Sequence, residues 1–218
     1  MKRVLVLVEG QTEERFVKDV LCPYLWEKEI DLTPKIVTTK RVKIGPHFKG
    51  GITEYSKVET DVRILLYDTN ATAITTFIDY YALPPDFPGM ASRPQGTPIQ
   101  RVLYVENEWA VQVNNHRFHP FLMIHEFEAI LFCKPDEIGL ALNQQRAGRD
   151  LAQVREAFDS PEDINEGIET APSKRILRYC VAYRKTVHGP IVAKRIGLPV
   201  IREQCNHFDN WISWLETL

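Results

Sequence analysis

Val4-Leu5-Val6-Leu7-Val8-Glu9-Gly10-Gln11-Thr12-Glu13-Glu14 joins five apolar residues to a carboxylate, a glycine and a polar, acidic stretch. A β-branched and leucine run with no polar alternation predicts a strand buried on both faces, the signature of a parallel sheet. Thr12 is placed to cap a helix, with Glu13 and Glu14 in its first turn, where the helix dipole favours acids. Phe16, Val20 and Leu21 mark its inward face. Pro23 either kinks this helix or starts a second short one.

Working outward, Lys35 to Thr39 reads as a second strand, and Lys40 to Gly51, with Gly45-Pro46 and Gly50-Gly51, as a loop. Glu54 to Tyr67 reads as a helix with Val58, Val62, Leu65 and Leu66 inward. Ile74 to Ile78 is a third strand, ending at Asp79. After the proline-rich Ala82 to Gly89 comes a helix from Ile99 to Val113. A fourth strand, Phe121 to Ile124, leads through His125-Glu126 into a helix from Phe127 to Phe132. This alternation predicts an α/β fold with a parallel sheet covered on both faces. Beyond Cys133 the pattern is helical only. Ser160-Pro161-Glu162-Asp163 has a strong helix start, Ser173 begins another helix, Pro190 to Ile196 is a third, and Asn206 caps the last. The expected division is an α/β domain over residues 1–133 and a helical region over 134–218 packed on it.

The balance of 27 basic and 29 acidic residues among 218, formally -2, excludes a histone-like basic binder and an acidic disordered tail. It leaves local basic patches open. The four cysteines are far apart and form no CxxC, which argues against a zinc finger or a disulfide framework. No apolar run approaches the roughly 20 residues that span a bilayer. The apolar run of the N-terminus is short and ends in Glu9, unlike a signal peptide. A reducing, cytoplasmic setting is therefore expected.

Glu9, Asp79 and Glu126 each follow a predicted strand. In a parallel sheet these ends share one edge, where ligands bind. Carboxylates gathered there repel one another and call for protonation or a counter-charge. A hard divalent cation such as Mg2+ or Mn2+, which takes oxygen ligands, supplies one. Capping of helices, or pairing with Arg3 or Arg63, is the alternative for any single acid.

Val8-Glu9-Gly10-Gln11-Thr12-Glu13-Glu14 resembles the opening motif of Toprim domains, found in topoisomerases, primases and overcoming-lysogenization-defect nucleases. Thr76-Phe77-Ile78-Asp79-Tyr80-Tyr81 with Asp86-Phe87-Pro88-Gly89, and Met123 to Phe132, look more specifically like a Toprim-like family, DUF4276. Pro172-Ser173-Lys174-Arg175-Ile176 and Cys205-Asn206-His207-Phe208 fit its C-terminal half. The resemblance implies a Toprim-like, Rossmann-like sheet and a Mg-dependent phosphoryl-transfer or nuclease site acting on nucleic acid. It gives Glu9 the acid–base or metal-ligand role and Asp79 a metal-ligand role. Tyr81 stands where the family pattern has a second aspartate. Glu126, or less readily Glu128, is the candidate replacement; at i and i+2 they cannot both face one ion from a helix. The resemblance also implies a partner ATPase of the RecF or SMC type, in repair or phage defence, since no Walker A motif is present. The alternative is a non-catalytic nucleic-acid or protein interaction module.

His125 is placed for proton transfer or phosphate contact, or for a local hydrogen bond. HExxH fails because residue 129 is alanine. Thr170 to Arg202 carries Lys174, Arg175, Arg178, Arg184, Lys185, Lys194, Arg195 and Arg202 and no acid, directly after an acidic stretch. Lys40, Arg41, Lys43 and Lys49 form a smaller cluster. Ser173, Lys174 and Arg175 at a helix start make a candidate phosphate cradle. Pairing with the acidic stretch, or a solvated helix face, competes with that role. Tyr183, His188, Trp211 and Trp214 are candidates for base stacking or for the core.

Overall fold

A computed structural model describes residues 1–38, 52–164 and 167–218. The predicted loop Lys40 to Gly51, its four basic residues and Thr39 lie outside the described residues. Strand β1 (Lys2–Val8) runs into helix α1 (Gln11–Phe16). The chain then widens into a π-helical stretch, Val17–Leu21, before α2 (Cys22–Trp26). Pro23 lacks the N–H that would close the preceding turn, which accounts for a widened turn there. β2 (Ile30–Ile36), α3 (Tyr55–Leu66), β3 (Ala73–Asp79), α4 (Pro98–Val113), β4 (Phe118–His119) and β5 (Leu122–Met123) follow.

The sheet order is β2-β1-β3-β4, with β5 also on β3, and every pair is parallel. Helices cover both faces, so the predicted α/β class holds. Val4, Val6 and Val8 join one core cluster with Phe16, Phe77, Phe127, Phe208 and Trp211. Leu5 and Leu7 join the other, with Val58, Val62, Val102, Val105 and Trp109. Alternate side chains thus enter opposite cores, which is why the run is apolar throughout.

Several predicted boundaries move. The second strand is Ile30–Ile36, not Lys35 to Thr39: it pairs with β1 from Lys2↔Ile30 to Val8↔Ile36. Its Pro34 is tolerated because β2 is an edge strand. The fourth strand is split into β4 and β5 around Pro120, which cannot donate to a ladder. Phe127–Cys133 is a 3-10 helix, and Ser160 caps only the single 3-10 turn Pro161–Asp163.

The remaining helices are α5 (Pro135–Ala141), α6 (Gln145–Arg155), α7 (Pro172–Tyr179), α8 (Lys185–Ile196), α9 (Leu198–Gln204) and α10 (Asn206–Thr217). Pro190 lies inside α8 rather than at its start. It cannot donate to the Thr186 carbonyl four residues earlier, and the Arg15 guanidinium donates to that oxygen instead, at 3.1 Å. Ile176, Val192, Ile201, Ile212 and Leu215 belong to the same core as Val4, Val6 and Val8. The helices beyond Cys133 therefore close one face of the sheet. No helix among the described residues is long and apolar enough to cross a membrane.

Candidate active site

Glu9 follows β1 and Asp79 ends β3, side by side at the carboxyl edge of the sheet. Glu9 Oε2 accepts the Asp79 N–H at 3.3 Å. Asp79 Oδ1 accepts the Phe127 N–H at 2.8 Å, which ties the strand end to the 3-10 turn beyond β5. Asp79 Oδ2 accepts from Lys185 Nζ at 2.8 Å. Lys185 is the first residue of α8, and its ammonium also lies 3.4 Å from Glu13 Oε1 and 3.3 Å from Glu128 Oε2. Tyr183 donates its hydroxyl to Glu128 Oε1 at 3.3 Å. Four carboxylates, from the β1–α1 turn, α1, β3 and the 3-10 helix, thus converge around one ammonium.

The electrostatics follow from this crowding. Glu128 is fully buried, and desolvation holds its carboxyl at about 7 despite Lys185. Glu9 keeps part of its surface at the mouth; loss of water and then repulsion by Asp79 push it to about 8. Burial raises Glu13 as well, against the pull of Lys185. For Lys185, burial opposes the charge, but Asp79, Glu128 and Glu13 outweigh it and hold the ammonium firmly protonated. Burial and the neighbouring Glu128 keep the Tyr183 hydroxyl neutral and available as a donor.

α8 comes this close because of Gly189: a Cβ there would lie 3.0 Å from Phe127 Cε1 and 3.2 Å from the Tyr183 hydroxyl. The backbone is bent at the site too. His125 takes φ 63 and Ala82 φ 63, conformations that cost a non-glycine residue about 1 kcal/mol or more. The fully buried His125 accepts the Tyr81 N–H on its carbonyl at 2.8 Å. That bond fixes Tyr81, at the second-aspartate position of the motif, beside β5.

Of the residues singled out in the sequence, Glu9 and Asp79 are brought together. Glu126 turns instead to α7, where Oε2 accepts the Ser173 N–H at 2.9 Å and Oε1 the Ser173 hydroxyl at 3.1 Å. A protein carboxylate thereby takes the helix N-terminus considered as a phosphate cradle. Arg175 donates to the Thr170 carbonyl at 2.6 Å and lies over the Phe158 ring at 5.2 Å. Lys174 is half-buried beside them. Trp211 is core, with its indole N–H donated to Thr75. Sequence reasoning did not assign Glu13, Tyr183 or Lys185 to the centre. Glu13 carries a legible signal, since it falls in the first turn of the helix that starts directly after Glu9-Gly10. Lys185 has none that separates it from the other bases of its run.

Oxygen-rich, anionic donors fit a hard divalent cation. Glu13 Oε1 and Glu128 Oε2 are buried without a hydrogen-bond partner, and one ammonium leaves the four carboxylates in excess. Among the described residues no three His, Cys, Asp or Glu side chains close round one point as metal ligands. Lys185 Nζ stands between them instead.

The family model described as a domain of unknown function, DUF4276, matches residues 8–216. No curated protein matches the chain. A solved structure, the C-terminal region of the Burkholderia pseudomallei OLD protein, aligns with a TM-score of 0.42 at 14% identity, covering 97% of this chain and 99% of that one.

Proposed function

Since the chain belongs to the DUF4276 family, we propose that it is a Mg2+- or Mn2+-dependent phosphodiesterase acting on nucleic acid. The observation that carries this reading is the convergence of Glu9, Glu13, Asp79 and Glu128 on the carboxyl edge of a parallel sheet, around Lys185. The motif resemblance of the β1–α1 segment to Toprim domains supports the same chemistry.

In this reading Glu9, Glu13, Asp79 and Glu128 would hold the cation, in the place that Lys185 Nζ takes among them. Glu128 takes the place first considered for Glu126, whose oxygens both face Ser173. When bound, the ion offsets phosphate charge and acidifies a water. Lys185, released from the carboxylates by the ion, would offer its positive charge to a phosphate oxygen. Glu9, at that mouth, accepts the proton of the attacking water or gives one to the leaving oxygen. Asp79 holds Lys185 and, through Phe127, the turn that carries Glu128. His125 positions Tyr81 through its carbonyl. Lys174 and Arg175 flank the nucleic-acid path, and an ATPase of the RecF or SMC type supplies any ATP dependence.

The decisive experiment is cleavage of mixed DNA and RNA substrates with Mg2+ or Mn2+, wild type beside Glu9→Ala. Metal-dependent cutting by the wild type alone supports the enzyme. Cutting that survives in a folded Glu9→Ala chain overturns it. The second reading is a non-catalytic interaction module. It is favoured by Lys185 itself, which satisfies three carboxylates from within the chain. Nucleic-acid binding without cutting, unchanged by metal, would establish that reading.

A further inference from the structure

A cavity of about 440 Å³ opens where the sheet edge breaks at Pro120 between β4 and β5. It lies at the level of Thr75, whose hydroxyl accepts the Trp211 indole N–H at 2.9 Å. Thr75 precedes Asp79 by four residues, about 13 Å along the strand, and Phe77 between them stacks on Trp211. The cavity is therefore separate from the carboxylate cluster and plays no part in the chemistry proposed above.

Its walls are flat rings. Phe121 stacks on Trp211 with centroids 4.4 Å apart and on His207 at 4.9 Å. Exposed His119 lies on Trp214 at 3.9 Å and 13°. Water is lost from the His119 ring although the residue keeps exposed surface, and this, with His207 nearby, lowers its imidazole from the usual range. The rim carries the amides of Asn107 and Asn210, both exposed. The one acid, Glu106, has both oxygens engaged, by the Leu122 N–H at 2.6 Å and His207 Nε2 at 3.1 Å. His207 is only 4% exposed, and its Nδ1 is buried without a partner. None of the described residues lining the cavity is lysine or arginine.

Each feature narrows the occupant. Aromatic walls select a flat ring system. The rim amides of Asn107 and Asn210, each offering an N–H and a carbonyl, select an edge bearing both hydrogen-bond donors and acceptors. The absence of a cation from the described lining gives no hold on a phosphate. The volume lies in the range of small-ligand sites.

We infer that this cavity is a nucleobase-binding site, stacking a neutral base against Trp214 and reading its edge with Asn107 and Asn210. The base comes from a free nucleoside or from an unpaired nucleotide of a single strand.

The test is titration of the full chain with adenosine, guanosine, uridine, ribose 5-phosphate and single-stranded DNA and RNA oligonucleotides, followed by tryptophan fluorescence and calorimetry. Expected is saturable binding of at least one nucleoside or oligonucleotide, weakened fivefold or more in Trp214→Ala, in keeping with the usual worth of base stacking. Trp214→Phe retains most of the affinity, which separates stacking from misfolding. Nucleoside binding is read without metal or nucleic acid present, so this result stands apart from that of the cleavage assay. Binding of nucleosides names the free small molecule. Trp214-dependent binding of oligonucleotides alone names the strand. No saturable binding of any base, equal binding by Trp214→Ala, or equal binding of ribose 5-phosphate overturns the inference.

Discussion

Lys185 Nζ donates to Asp79 Oδ2 at 2.8 Å, across 106 residues of sequence. The contact joins the first residue of α8 to the last residue of β3 and places a cation among carboxylates that no local rule brings together. Removing one partner of an enclosed ion pair leaves an uncompensated charge. Lys185→Met is therefore expected to destabilise the fold by about 1–3 kcal/mol, below the fully buried value because the side chain is partly exposed. Thermal melts with and without Mg2+ check it: the cation should raise the melting temperature more in Lys185→Met than in the wild type. An equal rise in both would separate Lys185 from the cation's place.

The pH dependence of stability follows from Glu9 at about 8 and Glu128 at about 7. Both ionise near 4.5 when unfolded and keep their protons longer when folded. Over that interval the native state binds more protons than the unfolded state, so stability falls as pH rises. Melting temperatures in chelator should be higher near pH 5 than near pH 8.5. Glu9→Gln should flatten the slope and gain stability at the alkaline end. A profile unchanged by Glu9→Gln would remove Glu9 as a cause.

Glu126 and Glu128 are two residues apart but face different partners. Glu128→Gln is expected to abolish metal-dependent cleavage. Glu126→Gln should leave most of the rate and cost about 0.5–2 kcal/mol through the weakened start of α7. Cleavage rates and melts of the two variants side by side decide it, and the reverse pattern would return the ligand role to Glu126.

Gly189 sets the approach of α8 to the 3-10 turn. Gly189→Ala is expected to cost about 1–3 kcal/mol through overpacking against Phe127 and Tyr183. The cleavage rate should fall with it as Lys185 is displaced. A variant with wild-type melting and activity would show that the helix is free to shift.

The sequence by itself determined the sheet. Val4 to Val8 is apolar at every position because both of its faces are buried, and this periodicity is local. Glu9 and Asp79 were legible for the same reason, since each sits where a strand ends and parallel strands end on one edge. The strand boundaries near Pro34 and Pro120 were less legible, because whether a proline is tolerated depends on which edge pairs. Only the tertiary structure decided the charge balance. The sequence favoured Glu126 over Glu128, but the bend at His125 with the 3-10 turn after it sends Glu126 to Ser173 and Glu128 inward. Lys185 is one base in an acid-free run until α8 packs through Gly189 against the turn carrying Phe127 and delivers its first residue to the strand ends. Secondary structure follows from neighbours along the chain, but a counter-ion is chosen by proximity in space, which packing alone creates.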